Sequence, residues 1–69
     1  MNKLEQKLKE GCQIQINEHK EVFYAELWSK FDDVYHQREC LLSVESKIST
    51  LNALFFLEQQ IEDLKGDVS

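Results

Sequence analysis

The stretch that decides the fold runs from Glu21 to Leu42, EVFYAELWSKFDDVYHQRECLL, and holds the only Trp, both Tyr and two of the four Phe. On a helix at about 100° per residue, its apolar side chains form two adjoining sides that together span roughly 160°. The two sides are Phe23, Leu27, Val34 and Leu41, and Tyr24, Trp28, Phe31, Tyr35 and Leu42. A helix needs only about 100° to dock on one neighbour. The stretch therefore predicts a helix that is covered by two partners.

Composition favours helix along the whole chain. The 69 residues include no Pro and only two Gly, and the frequent Leu, Glu, Lys and Gln are good helix formers. An apolar fraction of 42% is too high for a disordered segment. A chain of this size forms one domain with a small core, and such domains often gain stability by oligomerisation. We therefore predict a single all-α domain over residues 1–69.

Three segments are predicted within this domain. Residues 2–10 form a short helix, or an extension of the next helix if the chain continues through Gly11. Residues 17–44 form a long helix. Asn17 is its N-cap if residues 11–16 interrupt the helix. Residues 47–65 form the last helix, preceded by a hydroxyl-rich segment in which Ser46 or Ser49 is the N-cap.

The lengths of the two main helices predict a dimer. At 1.5 Å per residue they measure about 42 Å and about 28 Å, so in an antiparallel helical hairpin the second cannot cover the first. We expect a homodimer of such hairpins in a four-helix arrangement. The residues expected in its core or dimer interface are Phe23, Leu27, Val34, Leu41, Ile48, Leu51, Leu54, Phe55, Ile61 and Leu64.

A partner-binding site is predicted around Arg38, which lies in the apolar arc where a purely structural helix would carry an aliphatic residue. Trp, Tyr and Arg dominate binding energy at protein interfaces because each combines contact area with directed polar groups. The predicted site is one helical ridge formed by Trp28, Phe31, Tyr35 and Arg38. In the alternative interpretation, the aromatic residues are core and Arg38 reaches out over its aliphatic stem to pair with Glu39, Glu45 or a helix end.

Several functional classes are disfavoured by composition. Eight basic residues against thirteen acidic ones give a net charge of -5, which disfavours direct binding to a phosphate backbone. The sequence has no phosphate-binding Gly-rich loop, no His-Glu-x-x-His and no Cys-x-x-Cys, so we predict no enzyme activity, no catalytic residues and no cofactor. The four potential zinc ligands lack the close pairing of structural zinc sites, and no metal site is predicted for Cys12, His19, His36 and Cys40.

The compartment follows from two further features. No apolar run is long enough to span a bilayer, and Met1 to Lys3 is not followed by the apolar region of a signal peptide. With two cysteines, the chain could form at most one disulfide, and in a reducing compartment both are expected to be free thiols. We therefore expect a cytoplasmic protein without a membrane partner.

In length, acidity, helical pattern and the Tyr35-x-x-Arg38 pair, the chain resembles the small anti-quorum-sensing inhibitors encoded by Pseudomonas phages. The resemblance implies a helical homodimer that acts in the host cytoplasm, inactivates a LuxR-type transcriptional activator and also binds the type IV pilus assembly ATPase. We expect an interaction protein that inhibits a bacterial regulatory protein. A structural subunit or coiled-coil adaptor and an acidic nucleic-acid mimic are the alternatives.

Overall fold

A three-stranded antiparallel sheet occupies most of the stretch for which the sequence predicts one long helix. The computed structural model describes residues 2–64. Its elements are α1 (Lys3–Lys9), β1 (Gln13–His19), β2 (Val22–Trp28), β3 (Cys40–Ser46) and α2 (Thr50–Glu62). The sheet has the order β1-β2-β3, and of the described residues 37% are in strands or bridges and 32% in helices, so the fold is α+β. The predicted all-α helical hairpin, with its long helix over 17–44, is therefore wrong, and so is the four-helix arrangement built from it.

The side chains of β2 explain why helical periodicity was misleading. Phe23, Ala25 and Leu27 lie on the face that packs against the core, while Tyr24 and Trp28 lie on the opposite face, because side chains alternate along a strand. Both faces are mainly apolar, so polar residues do not mark a period of two. Plotted at 100° per residue, such a strand spreads its apolar side chains over a wide arc. The β-branched and aromatic residues concentrated here favour strands.

The turn between β1 and β2 also lacks a sequence signal. His19 pairs with Val22, so only Lys20 and Glu21 connect the strands, with φ of 50° and 66°. Two successive positive φ angles are typical of the type I′ hairpin turn, which usually contains Asn, Asp or Gly because those residues tolerate that backbone region. A Lys-Glu pair gives no such indication, and the chain reversal was missed.

The core lies between α2 and one face of β2 and β3. Its buried apolar residues are Ala25, Leu27, Val44, Ala53, Leu57 and Ile61. Three of them are Ala or Val, small side chains that let the helix approach the sheet closely. Of the residues expected in the core or dimer interface, Leu27 and Ile61 are buried, Phe23 and Leu54 pack against the core, and Leu64 is half-buried. The others are exposed, namely Val34, Leu41, Ile48, Leu51 and Phe55.

Polar groups fix both ends of α2. At its N-terminus, the Ser49 hydroxyl accepts a hydrogen bond from the backbone N–H of Asn52 at 3.0 Å, so Ser49 is the N-cap. At its C-terminus, the Lys3 ammonium donates to the carbonyls of Glu62 and Leu64, both at 3.0 Å. A cation that binds the last carbonyls complements the helix dipole. Lys65, the predicted end of this helix, lies outside the described residues.

Neither helix within residues 2–64 has the length and apolar character that crossing a bilayer requires.

Candidate functional site

The connection between β2 and β3 is the largest irregular feature of the described chain. It comprises residues 29–39, SKFDDVYHQRE, which we call the β2–β3 loop. Two antiparallel strands can be joined by as few as two residues, as β1 and β2 are. The β2–β3 loop is therefore longer than the connection of two strands requires.

Backbone hydrogen bonds hold the base of the β2–β3 loop. The N–H of Ser29 donates to the carbonyl of Glu39 at 2.8 Å, and the N–H of Glu39 donates to the Ser29 hydroxyl at 2.9 Å. Further out, the N–H of Asp32 donates to the carbonyl of Gln37 at 2.9 Å, and these two residues form an isolated antiparallel bridge. The hairpin is therefore continued beyond the strands.

A side chain fixes the tip of the loop. The Asp32 carboxylate oxygen Oδ1 accepts hydrogen bonds from the N–H groups of Val34 at 2.8 Å and Tyr35 at 3.1 Å. The N–H of His36 donates to the carbonyl of Asp32 at 2.7 Å. Asp is suited to this role because its short side chain can bond the backbone two residues ahead. The tip thus has a defined conformation although residues 31–37 are all exposed.

Arg38 fastens the loop to the rest of the protein. Its guanidinium nitrogen Nη1 donates to the carbonyl of Ser29 at 3.0 Å and to the carbonyl of Gly11 at 3.3 Å. Its guanidinium carbon lies 6.0 Å from the centre of the Phe31 ring, within range of a cation–π interaction. Gly11 belongs to the connection between α1 and β1, so Arg38 links two separate connections of the fold.

Gly11 is required at this contact for two reasons. Its φ of 104° lies in a region that other residues rarely adopt. A Cβ at this position would also lie 2.9 Å from the Cβ of Lys30, which is closer than van der Waals contact. The absence of a side chain lets the α1–β1 connection approach the base of the β2–β3 loop.

The four predicted partner-binding residues do not form a helical ridge. The structure places Phe31, Tyr35 and Arg38 in the β2–β3 loop. Trp28 is the last residue of β2 and lies on the sheet face opposite α2, where its indole N–H donates to a carboxylate oxygen of Glu26 at 3.1 Å. Tyr35 is 71% exposed at the loop tip. Arg38, in contrast, directs one guanidinium nitrogen to backbone carbonyls, so its position indicates a structural role.

Val34 is a candidate site residue that the sequence interpretation missed. It was expected in the core, but it is 78% exposed beside Tyr35. Together with Phe31, these residues give the loop an apolar surface. An open pocket of ≈ 480 Å³ adjoins it, and the pocket lining includes Phe31, Tyr35, Asp33 and Glu39. An Asp followed two and three residues later by apolar residues, within a segment between two strands, is the signal that could have indicated this tip.

A second exposed apolar surface lies on and just before α2. It consists of Ile48, Leu51 and Phe55. Leu51 and Phe55 lie on the exposed side of α2 and Ile48 precedes the helix, and exposed apolar residues are common on folded proteins. The Ile48 N–H donates to the Ser46 hydroxyl at 3.0 Å, so this surface is also held in place, and it differs from the loop tip because α2 is an element that the core requires.

The described residues contain no arrangement that would hold a metal ion. Within residues 2–64, no three His, Cys, Asp or Glu side chains are grouped for coordination. Cys12 is half-buried and Cys40 is exposed, and both are free thiols.

No protein-family model, curated protein or solved structure matches the chain. Functional inference therefore depends on the geometry of the β2–β3 loop.

Proposed function

We propose that this protein is a small acidic protein–protein interaction module that binds a bacterial regulatory protein through the tip of the β2–β3 loop and thereby inactivates it. The observation that carries the proposal is the combination of exposed Val34 and Tyr35 side chains with a backbone that Asp32 fixes. Ordering a loop upon binding costs free energy, so a loop that is already ordered retains more of its contact energy as affinity. Tyr also contributes a large contact area at a small cost in side-chain entropy.

The residues around the tip suggest the chemistry of the partner. Val34 and Tyr35 would enter an apolar cleft, and the carboxylate of Asp33 next to them would meet Lys or Arg at its rim. The net charge of -5 favours approach to a basic surface, because complementary charge raises association rates. A basic surface is common on proteins that bind nucleic acid, so a DNA-binding regulator fits this description.

The binding step and the inhibitory outcome have different support. The loop geometry supports binding. Inactivation of a quorum-sensing transcriptional activator, or contact with a pilus assembly ATPase, is what the resemblance to phage inhibitors adds to the proposal. That resemblance now rests on length, acidity and the Tyr35-x-x-Arg38 pair, because the helical pattern that was part of it is not found. The proposed mechanism is occupation of a surface that the regulator needs for its own activity.

The proposal is tested by quantitative affinity capture from a Pseudomonas lysate with three immobilised proteins. These are the unaltered protein, Tyr35→Ser and Phe55→Ser. Both variants exchange an exposed aromatic residue for Ser, but Phe55 lies on α2, away from the loop. We expect the unaltered protein and Phe55→Ser to enrich the same bacterial protein. Capture by Tyr35→Ser should fall by about tenfold or more, the ratio that a loss of about 1.4 kcal/mol produces.

Three outcomes of this experiment would contradict the proposal. The unaltered protein could enrich no bacterial protein over a blank matrix. Tyr35→Ser could capture the same protein at the same level, which would exclude the loop tip. Capture could instead be lost in Phe55→Ser alone, which would assign binding to α2.

A further inference from the structure

The outer edge of β1 is an unpaired strand edge. β1 is the first strand in the order β1-β2-β3, and its seven residues, Gln13–His19, pair with β2 alone. Within residues 2–64, no other segment forms a backbone hydrogen bond with these seven residues. An unpaired edge presents N–H and C=O groups that can pair with another strand.

Five of the seven residues of β1 lack the features that usually prevent such pairing, and its one carboxylate, Glu18, lies near the end of the strand. Proteins protect edge strands with charged residues, Pro or β-bulges. The segment from Gln13 to Asn17, QIQIN, has none of these residues, although the chain as a whole is strongly charged. Its pairing with β2 is also regular along its full length.

The opposite edge of the sheet is different. The pairing of β3 with β2 is irregular, because Leu27 is opposite Leu42 whereas Trp28 is opposite Cys40, so Leu41 is an additional residue in β3. Each outer strand carries one carboxylate, Glu18 in β1 and Glu45 in β3, so charge does not distinguish the two edges. The bulge disfavours a further strand at this edge.

β1 also leaves apolar surface uncovered. Ile14 is opposite Leu27 and Ile16 is opposite Ala25, so both isoleucines lie on the face of the sheet that carries the core. α2 lies mainly across β2 and β3, and Ile16 remains 42% exposed. A neighbour at the β1 edge would cover this side chain.

We propose that a second copy of this chain pairs with the β1 edge, so that two sheets join into one continuous antiparallel sheet of six strands. The two-fold axis passes through Gln15, which faces Gln15 of the second copy. Ile14 then faces Ile16 of the second copy, and Gln13 faces Asn17. In this register every amide side chain meets an amide and every isoleucine meets an isoleucine.

The uncharged composition of QIQIN supports a second copy as the occupant. Any charged residue at a homodimer axis would lie close to its own copy and repel it, and QIQIN contains no charged residue. Two chains with a net charge of -5 each repel one another, and the repulsion is smallest where the contact itself carries no charge. Moving the axis by one residue to Ile16 would place Ile14 opposite Glu18. This register keeps a single Ile16–Ile16 pair and replaces the two Ile14–Ile16 pairs with Ile14–Glu18 pairs, and alignment on Gln15 is therefore preferred.

The dimer would present two binding loops. Gln13 is opposite Trp28, so the β2–β3 loop leaves the sheet at the Gln13 end of β1. A two-fold axis through Gln15 places the loops at opposite ends of the joined sheet. The inference does not depend on loop binding, since the β1 edge and the β2–β3 loop are separate surfaces.

The proposal is tested by sedimentation velocity over a wide concentration range with the unaltered protein, Gln15→Lys and Gln59→Lys. Gln15→Lys places two ammonium groups opposite each other at the axis, whereas Gln59→Lys makes the same exchange at an exposed position on α2. We expect twice the 8.2 kDa chain mass for the unaltered protein and for Gln59→Lys. Gln15→Lys should sediment as a monomer with an unchanged far-ultraviolet circular dichroism spectrum.

A second measurement identifies the interface directly. In a mixed sample of ¹³C-labelled and unlabelled protein, isotope-filtered NMR should show intermolecular contacts between the methyl groups of Ile14 and Ile16. This measurement uses the unaltered sequence, so it decides the question even if Gln15→Lys fails to fold. A monomer at every concentration, a dimer that survives in folded Gln15→Lys, or a dimer without these contacts would each overturn the proposal.

Discussion

The two hairpin connections of this sheet differ in length and in what they present to solvent. Lys20 and Glu21 alone connect β1 to β2, and both adopt positive φ. Eleven residues connect β2 to β3, with their own backbone pairing, a side-chain-bonded tip and exposed apolar residues at that tip. The first connection shows that this sheet can be closed with a minimal turn. The second therefore contains structure that strand pairing does not require, and loops of this kind often carry function.

Arg38→Ala should have the largest effect on stability among the changes in these connections. It removes the hydrogen bonds to the carbonyls of Ser29 and Gly11. Hydrogen bonds from a charged donor contribute about 1.5–3 kcal/mol, and we expect a loss of about 1.5 kcal/mol because the site is only part-buried. Urea denaturation followed by circular dichroism measures the free energy of unfolding.

Lys47→Ala is the matched control for this change, because it removes an exposed cation outside the loop. Its effect should remain within about 0.5 kcal/mol. Equal losses in the two variants would show that the charge, and not the bonds at the loop base, is responsible.

Asp32→Ala should loosen the loop tip with a smaller effect on global stability, about 1 kcal/mol. The change removes the acceptor of the Val34 and Tyr35 N–H groups. Hydrogen exchange should therefore become faster at these two amides, because exchange no longer requires the hydrogen bond to the Asp32 carboxylate to break. Asp33→Ala, the neighbouring carboxylate, is the control and should leave both exchange rates unchanged. Slow exchange that persists in Asp32→Ala would contradict the assigned tip structure.

The short turn offers a test in the opposite direction, since Glu21→Gly should stabilise the protein. Glu21 has a φ of 66°, and this region is unfavourable for a residue with a Cβ. Glu21→Ala removes the same charge but keeps the Cβ. We expect Glu21→Gly to be more stable than Glu21→Ala by about 0.5–1 kcal/mol. If the two variants denature at the same urea concentration, the turn is not strained as described.

The N-cap of α2 and the turn between β1 and β2 show how far the sequence could predict the fold. The segment 47–65 contains α2, and its hydroxyl residues include the observed N-cap Ser49, because caps depend on short-range chemistry that sequence displays directly. The reversal at Lys20 and Glu21 depends on backbone angles that neither residue type favours. With that turn hidden, residues 17–44, which include the end of β1, all of β2, the loop and most of β3, are interpreted as one helix.

The candidate site was predicted in part, for a related reason. Phe31, Tyr35 and Arg38 were singled out because of their residue types, and the structure brings all three into one loop. Their roles could not be read from helical spacing, which assigned Arg38 to the contact surface and Val34 to the core. The Asp32 hydrogen bonds to the N–H groups two and three residues ahead are local, but helical spacing placed Asp32 in a helix interior, where those N–H groups would bond carbonyls four residues back.

Tyr35→Ser should have the smallest effect on stability, within about 0.5 kcal/mol, because the side chain is exposed and its loss leaves no cavity. Tyr24→Ser is the matched control, since the other tyrosine is half-buried on β2 and its loss should cost about 1 kcal/mol. Urea denaturation of the two variants compares a loop position with a strand position for the same exchange. A Tyr35→Ser protein that is as destabilised as Tyr24→Ser would show that Tyr35 supports the fold. If Tyr35→Ser instead loses partner capture and keeps its stability, Tyr35 contributes to binding and not to the fold.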